Sequence, residues 1–134
     1  MWLILCLALL FSTGDPVATE PVELFDTDKE RVVQTYANSE EFQNAAKQLL
    51  NTVSGRVLEL NPSLEHAMIV KIPMTPPQQL VNDPARIHEK IAEMFVVIPK
   101  KGRKPWMILH TQEYQTLVVE FTGEVAALKK LVRL

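Results

Sequence analysis

The sequence predicts an α+β domain: an antiparallel sheet of about five to seven strands, with an amphipathic helix over about 39–53 and a C-terminal helix over about 124–133 packed on one face. Three observations carry this expectation. Apolar residues between 39 and 53 recur at steps of three and four, the period of a helix with one buried stripe. From residue 94 onward, short apolar runs are separated by polar turns, as in an antiparallel meander. The whole order reads as two strands, a helix, at least five strands and a terminal helix.

The chain opens with an unbroken apolar run, Trp2 to Phe11 (WLILCLALLF), long enough for the core of a secretion signal and too short to span a bilayer. Ser12 and Gly14 then stand at the −3 and −1 positions of a cut before Asp15, where signal peptidase requires small side chains. The reading is a signal peptide at 1–14, a leader with little order at 15–21, and a single domain at 22–134. The expected location is secreted or extracytoplasmic, with membrane anchoring where the signal stays uncut. No Lys or Arg precedes the run, which departs from the usual signal, and a buried N-terminal strand is the alternative. Cys6 is the only cysteine, and Leu3, Ile4 and Leu5 before it do not make a lipid-attachment motif. The domain therefore has no disulfide, thiolate metal site or cysteine nucleophile.

Within the domain, Val22, Leu24 and Phe25 precede the polar cluster Asp26 to Glu30 and the β-branched stretch Arg31 to Tyr36, a hairpin pattern. Asn38 followed by Glu41 reads as a capping box. Phe42, Ala45, Ala46, Leu49, Leu50 and Val53 make the helix stripe, Glu40, Gln43 and Lys47 lie off it, and Gly55 is placed to end the helix. Arg56 to Leu60 and Ala67 to Pro73 are expected to pair as strands around a turn at Asn61-Pro62-Ser63. Pro76, Pro77 and Pro84 argue against a central strand over 75–84. Ile87, Ile91 and Met94 sit at helical spacing, so 84–98 reads as a short helix or extended entry running into a strand. Strands at Trp106 to His110 and Gln115 to Phe121 follow, and Gly123 breaks the last one. Glu124 near the start of the closing helix and Lys129, Lys130 and Arg133 near its end suit the helix dipole.

A chain of 134 residues, 47% hydrophobic and 22% charged, has room for one core and the composition of an ordinary globular domain. Its net charge of −2 is unevenly spread. Residues 1–65 carry ten acidic and four basic groups, and residues 66–134 carry six and ten. Such a division can orient a protein beside a charged partner.

Catalytic and metal-binding patterns are weak. His88-Glu89 begins like the zinc-peptidase H-E-x-x-H helix, but Ala92 stands where the second histidine belongs. A metal site would need His66, His88 and His110 to converge. Asp26, Asp28 and Glu30 alternate like early calcium ligands, but Arg31 and Ala37 replace the required Gly and carboxylate. No nucleophile elbow, phosphate loop or dinucleotide fingerprint occurs, so no cofactor and no catalytic residue is expected.

The pattern with most physical content is the basic turn. Lys100, Lys101, Arg103 and Lys104 lie between Pro99 and Pro105, followed by Trp106, and these five residues are the candidate binding site. Such a cluster suits an anionic envelope polymer, a lipid surface or an acidic protein. Nucleic acid is not expected, because the chain is acidic overall and carries an export signal. The expectation is a non-catalytic binding or interaction module at the cell envelope. The alternative is a small hydrolase or metal-dependent enzyme with a site assembled from dispersed histidines and carboxylates. Pro105-Trp106 at a hairpin is also similar to the Pro-Trp turn that forms one edge of the wedge in cystatin inhibitors, although the Q-x-V-x-G motif of that family has no match here. That similarity implies a peptidase-inhibitor-like module with Trp106 on an exposed edge.

Overall fold

A computed structural model describes residues 20–59 and 62–134. The expected signal at 1–14, residues 15–19 of the leader, and positions 60 and 61 lie outside the described residues.

The expected first hairpin forms from β1 (Val22–Asp26) and β2 (Arg31–Tyr36). Alternation places Val22 and Leu24 inward, and the Asp26 carboxylate accepts the Asp28 amide at 2.9 Å to close the turn. Helix α1 (Glu40–Leu50) follows, with Phe42, Ala46, Leu49 and Leu50 in the core. Its cap is Ser39, whose hydroxyl accepts the Phe42 amide at 3.4 Å, and not Asn38. Asn38 is drawn instead to the backbone of a later strand, where it donates to the Pro73 carbonyl at 2.9 Å. The helix also ends earlier than the apolar period suggests. Thr52 donates to the Leu49 carbonyl at 2.8 Å and closes the last turn, so Val53 and Gly55 belong to strand β3 (Val53–Arg56).

The next two strands form one long hairpin, β4 (Ala67–Asn82) and β5 (Ile87–Pro99). β6 (Trp106–Thr111) and β7 (Thr116–Phe121) complete the meander, and α2 (Ala126–Val132) closes the chain. Among the described residues, seven strands lie in one antiparallel sheet in the order β2-β1-β4-β5-β6-β7-β3, with two helices on one face. The edge strand β3 pairs with β7 and not with Ala67 to Pro73, contrary to the expected local pairing.

Two irregularities meet at Ala92: the prolines do keep 75–84 out of a central strand, although the segment is an edge strand, and the helical reading of 84–98 is corrected. β4 continues through Pro76 and Pro77, because residues 74–77 bulge opposite Ala92 of β5 and β1 pairs only with Met68 to Lys71. A proline there forfeits no ladder hydrogen bond. A second bulge, in β5 against β6, makes Ile87 to Met94 mimic a helix. Ile87 and Ile91 face inward at strand spacing, Ala92 supplies an extra residue, and Met94, Val96 and Ile98 resume the inward face.

Gln43, on α1, holds this bulge. It is buried, its amide donates to the Pro73 carbonyl and the Asn38 side chain at 2.7 Å each, and its carbonyl accepts the Thr75 amide at 3.0 Å. Buried polar backbone groups in a bulge need such partners. Near the hairpin tip, Asn82 donates to the Val53 carbonyl at 3.1 Å and Arg56 to the Ala85 carbonyl at 3.0 Å. The long hairpin therefore reaches across the core to the far edge strand.

Candidate binding surface

The helices cover the inner face of the sheet, while register fixes what the outer face shows. Val32, Phe25, Ile69, Val97 and Trp106 stand opposite one another across β2, β1, β4, β5 and β6. The next row is Glu23, Lys71, Phe95, Ile108 and Val118. A third row, Pro73, Glu93, His110 and Thr116, is more polar.

The connection from β3 to β4 covers one end of this face. Val57 donates its amide to the Val118 carbonyl at 3.0 Å and packs against the small cluster of Ala67, Val97 and Trp106. Beyond it, Phe25, Ile69, Phe95, Ile108 and Val118 are half-buried, and neither helix of the described residues lies over them. At the opposite end the face runs into an open cleft of about 850 Å³, whose lining includes Pro73, Met74, Pro77, Ala92, Glu93 and His110.

The cleft's polar groups are arranged in a chain. Glu93 pairs with the His110 Nδ1 at 3.1 Å and with Lys71 at 3.5 Å, and Lys71 lies 4.0 Å from Glu20. The His110 ring meets Phe95 edge-on, with centroids 4.8 Å apart. The half-exposed aromatic and the imidazole thus form one continuous wall from the apolar face into the cleft.

The basic turn between β5 and β6 is less free than its sequence implies. Lys100 bonds Asp26 at 2.9 Å and Asp28 at 2.7 Å, and Arg103 pairs with Glu59. The Lys100 ammonium holds both aspartates below the usual carboxylate range, with His66 adding to the effect at Asp28, and the two carboxylates raise Lys100 in turn. Lys101 and Lys104 have no ion pair among the described residues. Trp106 is only 3% exposed, so it stands beneath the turn and not at an exposed wedge edge. Beside it lies an open hollow of about 320 Å³, lined in part by Ser54, Val57, Lys104, Glu120 and Thr122.

The three histidines occupy separate places, each beside its own carboxylate. His66 meets Asp28 at 2.8 Å, His88 meets Asp83 at 2.6 Å, and His110 meets Glu93. Among the described residues no group of three or more His, Cys, Asp or Glu is placed to hold a metal ion. Asp26 and Asp28, from the calcium-like pattern, are engaged by the Lys100 ammonium instead. No helix among the described residues is long and apolar enough to cross a membrane.

Sequence reasoning missed the outer face. Phe95 lies in a continuous apolar run, so nothing in the sequence separates it from the buried Met94 and Val96 beside it. The one available signal was the alternation in Trp106 to His110, where every second residue had to face away from the core. In comparison with known proteins, no family model, curated protein or solved structure matches this chain.

Proposed function

We propose that the protein is an exported, non-catalytic binding module acting at the cell envelope, and that its ligand surface is the outer face of the sheet with the cleft at its end. The observation that supports this most is the half-buried row of Phe95, Ile108 and Val118, left uncovered by both helices of the described residues and continuous with an 850 Å³ cleft. Contiguous apolar surface rimmed by polar groups is what ligand and partner sites present. The ligand class is an amphipathic molecule, whose apolar part lies on Phe95 and Ile108 and whose polar end meets the Glu93, His110 and Lys71 chain. Lys101 and Lys104 add a general attraction to anionic envelope polymer, lipid or acidic protein.

The test uses the dye 1-anilinonaphthalene-8-sulfonate as an amphipathic probe. Saturable dye fluorescence in the folded protein, lost in Ile108→Asp while circular dichroism is retained, is the expected result. Equal dye binding by that variant overturns the assignment of the outer face. The export part is tested by intact mass and cell fraction of the natively expressed protein, where an uncut chain in the cytoplasm overturns it.

One observation favours a second reading, a small hydrolase. Glu93 engages His110 at Nδ1, which in the neutral tautomer with the proton on Nδ1 leaves Nε2 to accept a proton in the cleft, as a general base does. Hydrolysis of a short-chain nitrophenyl ester that falls by about a hundredfold in His110→Ala supports this reading. The same background rate in both proteins removes it.

A further inference from the structure

Trp106 carries the single buried side-chain polar atom among the described residues that has no hydrogen-bond partner, the indole N–H. Native structures rarely leave such a donor unmatched, and those that do often reserve it for a water or an ion. Trp106 lines the hollow of about 320 Å³ at the base of the basic turn, and four of the side chains around it, Ser54, Arg103, Lys104 and Thr122, can donate to an anion. Lys104 is exposed and without an ion pair among the described residues, Arg103 reaches the same hollow from its contact with Glu59, and Ser54 and Thr122 contribute hydroxyl groups.

We propose that this hollow is a binding site for an oxyanion of the phosphate or sulfate type. One oxygen accepts the Trp106 N–H, a second meets the Lys104 ammonium, and the hydroxyls of Ser54 and Thr122 donate to the others. Several donors approaching from different directions match a tetrahedral ion, which has more acceptor oxygens than a carboxylate. The indole N–H is closed to solvent, so binding requires the side chains packed over it to move aside and admit the ion. Glu120 lines the same hollow and opposes an anion, which sets an upper limit on affinity and supplies a control. The site is separate from the Phe95 surface, so its failure leaves the outer-face reading standing, and the reverse also holds.

The experiment follows the Trp106 indole N–H resonance in the ¹⁵N-labelled full chain carrying Trp2→Phe, which leaves Trp106 as the only indole. Sodium phosphate, sulfate, acetate and chloride are titrated at matched ionic strength. The expected result is a saturable downfield movement with phosphate and sulfate that chloride does not produce. Lys104→Gln weakens it by about tenfold, the loss of one charge-assisted hydrogen bond, and Glu120→Gln strengthens it. Trp106→Phe, which removes the donor and keeps an aromatic ring, loses the phosphate-induced rise in Tm. A shift that is linear in every salt, a saturable response to acetate alone, or unchanged phosphate binding in Lys104→Gln and Trp106→Phe each overturns the proposal.

Discussion

The same strands build both faces of the sheet, yet the two faces have different fates. On the inner face Ile72, Met94, Val96 and Met107 are completely buried beneath α1, α2 and the curled end of the long hairpin. On the outer face their immediate neighbours Lys71, Phe95, Val97 and Ile108 range from half-exposed to buried, according to whether the β3–β4 connection reaches them. Alternate residues of one segment thus serve separate ends. Inner positions hold the fold, and the outer positions left open by the β3–β4 connection are the ones proposed to meet a ligand.

Truncation should expose that division most strongly. Met107→Ala removes a fully buried side chain and is expected to cost about 2–5 kcal/mol. Ile108→Ala, one residue along and half-buried, should cost about 1 kcal/mol or less. Urea unfolding of the two variants measures the contrast, and equal losses would show that the outer face is as structural as the inner.

Next in size is Gln43, whose buried side chain ties α1 to the bulge in β4. Gln43→Leu leaves the Thr75 amide without its partner and removes one donor from the Pro73 carbonyl, at an expected cost of about 1–3 kcal/mol. Amide hydrogen exchange at Thr75 should rise by more than exchange at Met107, which locates the damage at the bulge. Equal acceleration at both sites would mean that Gln43 supports the whole fold.

A comparable but smaller effect belongs to Gly123. A Cβ there would lie 2.8 Å from the Thr52 hydroxyl, the same oxygen that accepts the Gly123 amide and donates to the Leu49 carbonyl. Gly123→Ala should cost about 1–2 kcal/mol by tight packing at that junction. Adding Thr52→Ala to Gly123→Ala should add less than Thr52→Ala costs by itself, since the clash is then relieved.

The smallest effect concerns the ionic contacts that hold the basic turn against the first hairpin. Asp26 and Asp28 titrate below their ordinary value, so the stability they contribute is full above about pH 5 and is lost as pH falls through the acid range. Lys100 titrates above its ordinary value, so its contribution persists to about pH 10 and is lost at more alkaline pH. Lys100→Met should flatten both ends of the stability profile. Thermal melts between pH 2.5 and 11 check this, and a profile unchanged from the parent would mean that the contacts carry no net stability.

Much of this architecture was legible because local chemistry agreed with the global fold. The Val22–Tyr36 hairpin, the α1 stripe, the meander from Trp106 and the closing helix all follow from period and turn residues. Where reading failed, a distant partner decided the outcome. Ser39 displaced Asn38 as the cap because Pro73 claimed Asn38. Pro76 and Pro77 were accommodated because four residues of β4 bulge opposite Ala92, and Ala92, itself extra against β6, gave Ile87, Ile91 and Met94 a false helical spacing. The candidate surface was harder still, since Phe95, His110 and Glu93 meet only through strand register. The basic turn was visible, but the aspartates that neutralise Lys100 lie more than seventy positions away in the sequence.

The place of β3 also governs the order in which the chain can finish folding. Val53 and Arg56 precede the whole meander, yet their ladder partners Phe121 and Val119 are near the end. During synthesis the first hairpin and α1 emerge early with no sheet to settle on. The edge can be sealed only after the last strand has appeared, a long-range closure of the kind that slows folding. For a chain exported as proposed here, late sealing lengthens the interval in which it remains threadable through a translocation channel.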